Sequence, residues 1–350
     1  MSRRDDVEAL PLYKQGDVQG PDAVKLSSNE NPYPPLPSVA RAVGEALASA
    51  NRYPDMAAHQ VREAIAAHHG VSVEEIAVGA GSTDVLSQLI HATAGAGDEV
   101  VFAWRSFEAY PILTKVAGAT PVPVPLTADL RHDLPAMAAS LTDRTRLVLL
   151  CTPNNPTGTA LTTTQVEDFL ARVPEDVTVV VDEAYRQFNQ DPDAVSGTDL
   201  LADHPNVVSL QTFSKAYGLA GLRIGYAVSG SRLSDDLRRV ATPFTVTNLA
   251  QRAAIASLAA GAELAERVDR IVSERERVRA ALAEQGWPVV PSRANFLWLS
   301  LGEDTDRLDA ALRRAGVFTR CWSGEGMRLS VGSPGENDRA LAAFDAARQG

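Results

Sequence analysis

Only two cysteines, Cys151 and Cys321, occur in 350 residues, too few for a disulfide framework. No apolar stretch approaches the roughly 18 residues of a membrane span. No basic run is available to lie along a nucleic acid or an anionic lipid surface. Lys and Arg together number 33 against 44 Asp and Glu, for a formal charge of −11. Fixed-period repeats and low-complexity tracts are also missing. The segment Met1 to Asp17 begins with Arg3 and Arg4, but Asp5, Asp6 and Glu8 stand where a signal peptide would carry its apolar core. These absences point to a cytoplasmic protein with neither a membrane nor a nucleic-acid partner. The composition that is present, 45% apolar and 22% charged, is that of a globular chain without long disorder, and the length suits about two domains.

Pro and Gly punctuate an alternation of strand-like and helix-like segments. Short continuous apolar runs at Ile76–Val78, Val100–Phe102, Leu147–Cys151, Val177–Val181 and Val207–Leu210 suit strands covered on both faces. Between them, Val61 and Ile65 precede Gly70, and Val85, Leu86, Leu89 and Ile90 share one face before Gly95, as helices ended by glycine would. This alternation predicts an α/β domain over about 35–245 with a mostly parallel sheet. From Leu249 to about Leu282 a long helical pattern follows, which Gly261 is placed to interrupt. The strand-like Phe296–Leu299, a helix near Asp306–Ala315 and the strand-like Met327–Val331 then predict a smaller α+β domain over 246–350. The Pro-rich start, residues 1–34, reads as an extended arm.

In an open parallel sheet, ligands bind at the carboxyl ends of the strands. Gly79-Ala80-Gly81-Ser82-Thr83-Asp84 follows the first run, either as a plain capped turn or as a cradle of amides for a phosphate. Thr152-Pro153-Asn154-Asn155-Pro156-Thr157-Gly158 follows the third, either as a turn or as a mount for an amide side chain. Asp182-Glu183-Ala184-Tyr185 puts two carboxylates at a buried strand end, costly unless they are solvated or partnered. Ser214-Lys215 follows the last run, with Arg223 eight residues beyond Lys215. A lysine there is ordinarily a solvated charge.

Taken in order, these motifs resemble those of fold-type I, pyridoxal-phosphate-dependent aminotransferases, and more closely the histidinol-phosphate aminotransferase subfamily. Asn154–Gly158 reads NNPTG, Asp182–Tyr185 reads DEAY, and Ser214–Gly225 contains SKAYGLAGLR, while similarity extends from Leu12-Tyr13 and Ser27–Pro32 to Met327–Gly332. The resemblance implies the type I transferase fold and pyridoxal 5′-phosphate as cofactor. It assigns Lys215 the covalent bond to the cofactor aldehyde and the proton transfers at the substrate α-carbon. Asp182 would keep the ring nitrogen protonated, and Asn155 and Tyr185 would hydrogen-bond the ring's phenolic oxygen. Ser82, Thr83, Ser214 and Arg223 would hold the phosphate. Phe107 matches the ring-stacking aromatic. Tyr53 matches a tyrosine that reaches the partner subunit's phosphate, which implies a homodimer with shared active sites.

The same resemblance assigns Arg328 the substrate carboxylate, and gives Arg320 and Tyr13 substrate-facing places. The wording of the chain around Trp104–Glu108 and Pro243–Val246 lies closer to the aromatic amino acid (phenylalanine) branch, with 2-oxoglutarate as acceptor. The alternative is histidinol-phosphate aminotransferase. Decarboxylation on the same scaffold is a more distant reading, and a regulator with a DNA-binding domain has no room before Ser27. The six histidines are scattered and form no metal-ligand spacing with the cysteines, so no metal is expected. The Glu-Arg alternation over Glu274–Arg279 reads as a solvated helix face with intrahelical pairs.

Overall fold

The structure, a computed structural model, describes residues 22–349 together with Leu10 and Gly20. In chain order the strands are β1 (Val24–Lys25), β2 (Ile76–Gly79), β3 (Glu99–Trp104), β4 (Thr120–Pro125), β5 (Thr145–Cys151), β6 (Thr178–Asp182) and β7 (Val207–Thr212). They continue with β8 (Gly225–Val228), β9 (Val289–Val290), β10 (Phe296–Ser300), β11 (Val317–Phe318), β12 (Arg320–Trp322) and β13 (Gly326–Ser330). Seven of them form one sheet in the order β2-β8-β7-β6-β5-β3-β4, in which β8 alone runs antiparallel to its neighbours.

The period of two along each strand feeds two cores. Leu147 and Leu149 of β5 face one way, with Phe102, Val180 and Leu210, onto Val85, Leu86, Leu89 and Ile90 of the helix Ser82–Thr93. Val148 and Leu150 face the other way, with Val101, Val179 and Val181, onto Val166, Phe169 and Leu170 of the helix Thr163–Leu170. Each such side chain, fully buried, contributes about 1.5–3 kcal/mol. Both faces are covered, as continuous apolar runs require.

Two strands differ from the expectation. β4 carries Pro121, Pro123 and Pro125, which cannot donate to a ladder, and it takes the sheet edge where no ladder is needed on one side. β8 is a four-residue strand directly behind the Arg223 loop. The long helical pattern is two helices, Asn248–Ala259 and Gly261–Glu284, meeting at Ala260. Behind it lie an antiparallel sheet, β12-β13-β10-β9, and the helices Thr305–Arg314 and Pro334–Gln349. In the arm, β1 pairs parallel with β11, so the segment after it is anchored beside this smaller sheet.

Arg275 corrects the reading of the Glu-Arg face. It is buried, donating to the carbonyls of Phe188 and Ala294 at 3.2 and 3.1 Å, whereas Arg277 and Arg279 make the expected pairs with Glu274 and Glu276. No helix among the described residues is long and apolar enough to cross a membrane.

Candidate active site

The carboxyl ends of β2, β3, β5, β6 and β7 share one sheet edge, and a cavity of about 730 Å³ opens there against β12 and β13. Ser82, Thr83, Phe107, Asn155, Asp182, Tyr185, Ser214, Lys215, Arg223, Arg320 and Arg328 all line it. Tyr53 does not: it is 84% exposed and packs on Phe244 at 4.8 Å between ring centroids. Tyr13 lies outside the described residues.

At one end of the cavity the helix Ser82–Thr93 starts at Gly81 without a side-chain cap, as a helix N-terminus that receives an anion does. Arg223 completes the cradle. Its backbone is left-handed (φ 58°), and its guanidinium is tied to the carbonyls of Ala80 (3.1 Å) and Ala220 (3.0 Å). Such a conformation costs a bulky residue free energy and persists where its surroundings over-determine it. Gly81 (φ 86°) permits the approach, because a Cβ there would overlap the Arg223 guanidinium. Gly81→Ala is therefore expected to weaken retention of a phosphate-bearing cofactor at least about ten-fold, roughly one charge-assisted hydrogen bond. Titrating the apoprotein with pyridoxal 5′-phosphate by absorbance checks this, and unchanged affinity would place the phosphate elsewhere.

At the other end Asp182, buried, accepts from the Tyr110 hydroxyl at 2.7 Å and from the Ala184 amide at 3.3 Å. No cationic side chain among the described residues pairs with it, and burial pushes its carboxyl up to about 6. Glu183 is different: it is held by Arg186 (2.8 Å), Ser209 (2.5 Å) and the Gly197 amide (3.2 Å), away from the cavity. A buried carboxylate facing a cavity without a cation suits a protonated ring nitrogen, so the residues present fit the pyridine of pyridoxal 5′-phosphate.

Lys215 lines the same cavity. Burial, reinforced by the charge of Arg328, lowers its ammonium to about 8, and its Nζ donates to the Ser28 carbonyl at 3.2 Å. Tyr185 sits 5.8 Å from that nitrogen by ring centroid; its hydroxyl oxygen accepts from Asn29 at 2.9 Å, which leaves its hydrogen to donate. Burial raises this phenol above its ordinary range. Asn155 Oδ1 accepts from Arg328 Nη1, which leaves the Asn155 N–H group as a donor. Asn154 serves the scaffold instead, bonding Ser106, the Arg105 carbonyl and Thr157.

Arg328, on β13, is buried; it also donates to the Ser27 carbonyl at 2.6 Å and lies between the rings of Phe296 (5.5 Å) and Trp322 (5.8 Å). Arg320, on β12, donates to Glu108 at 2.8 Å, and Trp322 Nε1 donates to the same carboxylate at 3.2 Å. Three of these contributors escaped the sequence reading. Tyr110 and Asn29 reach Asp182 and Tyr185 from 72 and 156 residues away, and Glu108 reaches Arg320 across 212. The only local signal was Tyr110's place three residues after Phe107.

A sequence profile of the family described as aminotransferase class I and II matches residues 21–344. The aromatic amino acid aminotransferase of Cutibacterium acnes is 68% identical over 348 residues, covering 99% of each chain. That of Thermobifida fusca is 54% identical over 341 residues, covering 97% of this chain and 95% of the other. Among solved structures, histidinol-phosphate aminotransferase of Sinorhizobium meliloti in complex with pyridoxal-5′-phosphate is similar with a TM-score of 0.90 at 30% identity, covering 100% of this chain and 98% of that one.

Proposed function

The chain belongs to the class I and II aminotransferases, and from that premise we propose that it carries the amino group of an aromatic amino acid, phenylalanine or tyrosine, to 2-oxoglutarate. It is a pyridoxal 5′-phosphate-dependent enzyme of the type I fold. Bound at this site, the cofactor supplies an aldehyde that takes up the amino group and a ring that draws electrons from the substrate α-carbon.

In this reading Ser82, Thr83, Ser214 and Arg223 hold the phosphate, and Phe107 covers the ring. Asp182 holds the proton on the ring nitrogen, and Asn155 and Tyr185 donate to the ring oxygen. Lys215 moves a proton to and from the substrate α-carbon, a task that its lowered pKa near 8 favours. Arg328 meets the α-carboxylate with its fork, Arg320 serves as a second substrate arginine, and Tyr13 is assigned to the substrate by resemblance alone. Residues 1–34 are read as the arm, 35–245 as the cofactor-bearing domain and 246–350 as the domain that brings the arginines.

One observation carries the substrate reading. The arginine suited to a carboxylate lies between two aromatic rings, Phe296 and Trp322, and shares its cavity with Lys215. A substrate held there by its carboxylate has an indole, not open water, beside it. The names of the relatives from Cutibacterium acnes and Thermobifida fusca support the same substrate class.

The family is typically dimeric and uses amino and keto acids. We read this chain as a homodimer with shared active sites. The support is Tyr53, exposed with Leu47, Met56 and Phe244 and outside its own chain's cavity lining, as a residue serving a partner's phosphate would be. Two unpaired cysteines accord with a cytoplasmic setting.

Arg328→Lys tests the shared fork. Losing one of two charge-assisted bonds, about 1.5–3 kcal/mol, is expected to raise the KM for phenylalanine and for 2-oxoglutarate alike, by about 10–100-fold. Steady-state kinetics with each substrate varied in turn gives the answer. A rise confined to one substrate would remove Arg328 from the common carboxylate site.

A further inference from the structure

We propose that Glu108 sets the preference of this site for uncharged over anionic substrate side chains, by holding Arg320 in an ion pair that an anionic side chain must break. The inference rests on the reading that Arg328 takes the α-carboxylate and leaves Arg320 to the far end of the substrate.

Glu108 immediately precedes the helix Ala109–Val116, where a carboxylate could cap the free amides of the first turn. It makes no such bond. Its side chain turns into the cavity instead, where both oxygens are engaged by β12: Oε2 accepts from Arg320 Nη2 at 2.8 Å and Oε1 from Trp322 Nε1 at 3.2 Å. The two charged side chains are 27% and 21% exposed, so the pair is shielded from solvent more than a surface ion pair is. The helix after β3 and the smaller sheet are thereby joined across the cavity.

Two consequences follow from charge alone. The Arg320 guanidinium itself lies 5.6 Å from the Trp322 ring centroid, so a phenyl or phenol ring entering beside these two side chains meets a pair that is neutral overall, and it need not desolvate a lone guanidinium. A phosphate or second carboxylate entering the same space must draw Arg320 from Glu108 and then lie near the displaced carboxylate, with like charges opposed. The arginine thus remains available to 2-oxoglutarate, but at reduced affinity. Donors with anionic side chains are disfavoured on the same account.

The experiment uses the holoenzyme and two unreactive carboxylates, glutarate and 3-phenylpropionate, with dissociation constants measured by calorimetry. In Glu108→Gln, which keeps the shape and removes the charge, glutarate is expected to tighten relative to 3-phenylpropionate by about ten-fold, or about 1.4 kcal/mol. Glu108→Asp, which keeps the charge, is expected to shift that ratio less than Glu108→Gln does. The KM for 2-oxoglutarate should fall in Glu108→Gln in the same sense. An unchanged ratio in Glu108→Gln, or a shift toward 3-phenylpropionate, overturns the inference. Failure of the aromatic reading would show separately, as a preference of the parent enzyme for histidinol phosphate over phenylalanine.

Discussion

Lys215→Ala is expected to lower transamination by at least about 10⁴-fold, because in the proposed function one side chain supplies both the bond to the cofactor aldehyde and the proton transfers at the substrate α-carbon. Among the residues lining the cavity it is the only lysine, and a guanidinium is no substitute for an amine as a proton carrier. The low ammonium pKa, about 8, arises from burial and from Arg328, so a fraction of the amine is already neutral near pH 7. Borohydride reduction of the parent followed by peptide mapping should find the cofactor fixed on Lys215. The Ala variant should show no fixed cofactor and near-zero single-turnover rates. Parental turnover in Lys215→Ala would remove this residue from the chemistry.

Asp182→Asn is expected to act in opposite directions on rate and on stability. For rate, the amide keeps the shape and the bond to Tyr110 but loses the charge proposed to hold a ring proton, a loss of about 1.5–3 kcal/mol, or about 10–100-fold in kcat. For the apoprotein, burial has raised the carboxyl from its ordinary 3.8 to about 6. The folded state then binds more protons than the unfolded state between about pH 4 and 6, so stability falls as pH rises through that window. Above it the full cost of the buried charge is present, about 3 kcal/mol. Thermal melts of the apoproteins at pH 7 should accordingly place Asp182→Asn above the parent, with the gap closing toward pH 4. A variant slower by less than two-fold, or less stable than the parent at pH 7, would give Asp182 a scaffold role.

This opposition explains which parts of the site could be read from the chain. The residues proposed to carry the chemistry follow strands that continuous apolar runs mark, so the common cavity of Asp182, Lys215 and Asn155 was legible from pattern and motif together. β4 could not, since its three prolines obey the rules of an edge strand and not those of a buried one. Tyr110, Asn29 and Glu108 act through partners 72 to 212 residues away, which no local spacing encodes. Arg275 fails for a related reason: its neighbours make a solvated charge pattern, and only packing against Phe188 and Ala294 reveals its burial. Tyr53 remains legible only through resemblance, because within one chain it is an exposed tyrosine stacked on Phe244.

The central claim is that the β12 side of this cavity receives an aromatic ring, with Trp322 beside it and Arg320 neutralised by Glu108. The measurement that bears on it most directly is the ratio of kcat/KM for phenylalanine and histidinol phosphate in the parent enzyme, each with 2-oxoglutarate at saturation. Phenylalanine is expected to lead by ten-fold or more, a transition-state preference of at least about 1.4 kcal/mol. A ten-fold lead for histidinol phosphate would contradict it and assign the enzyme to the phosphate-bearing donor.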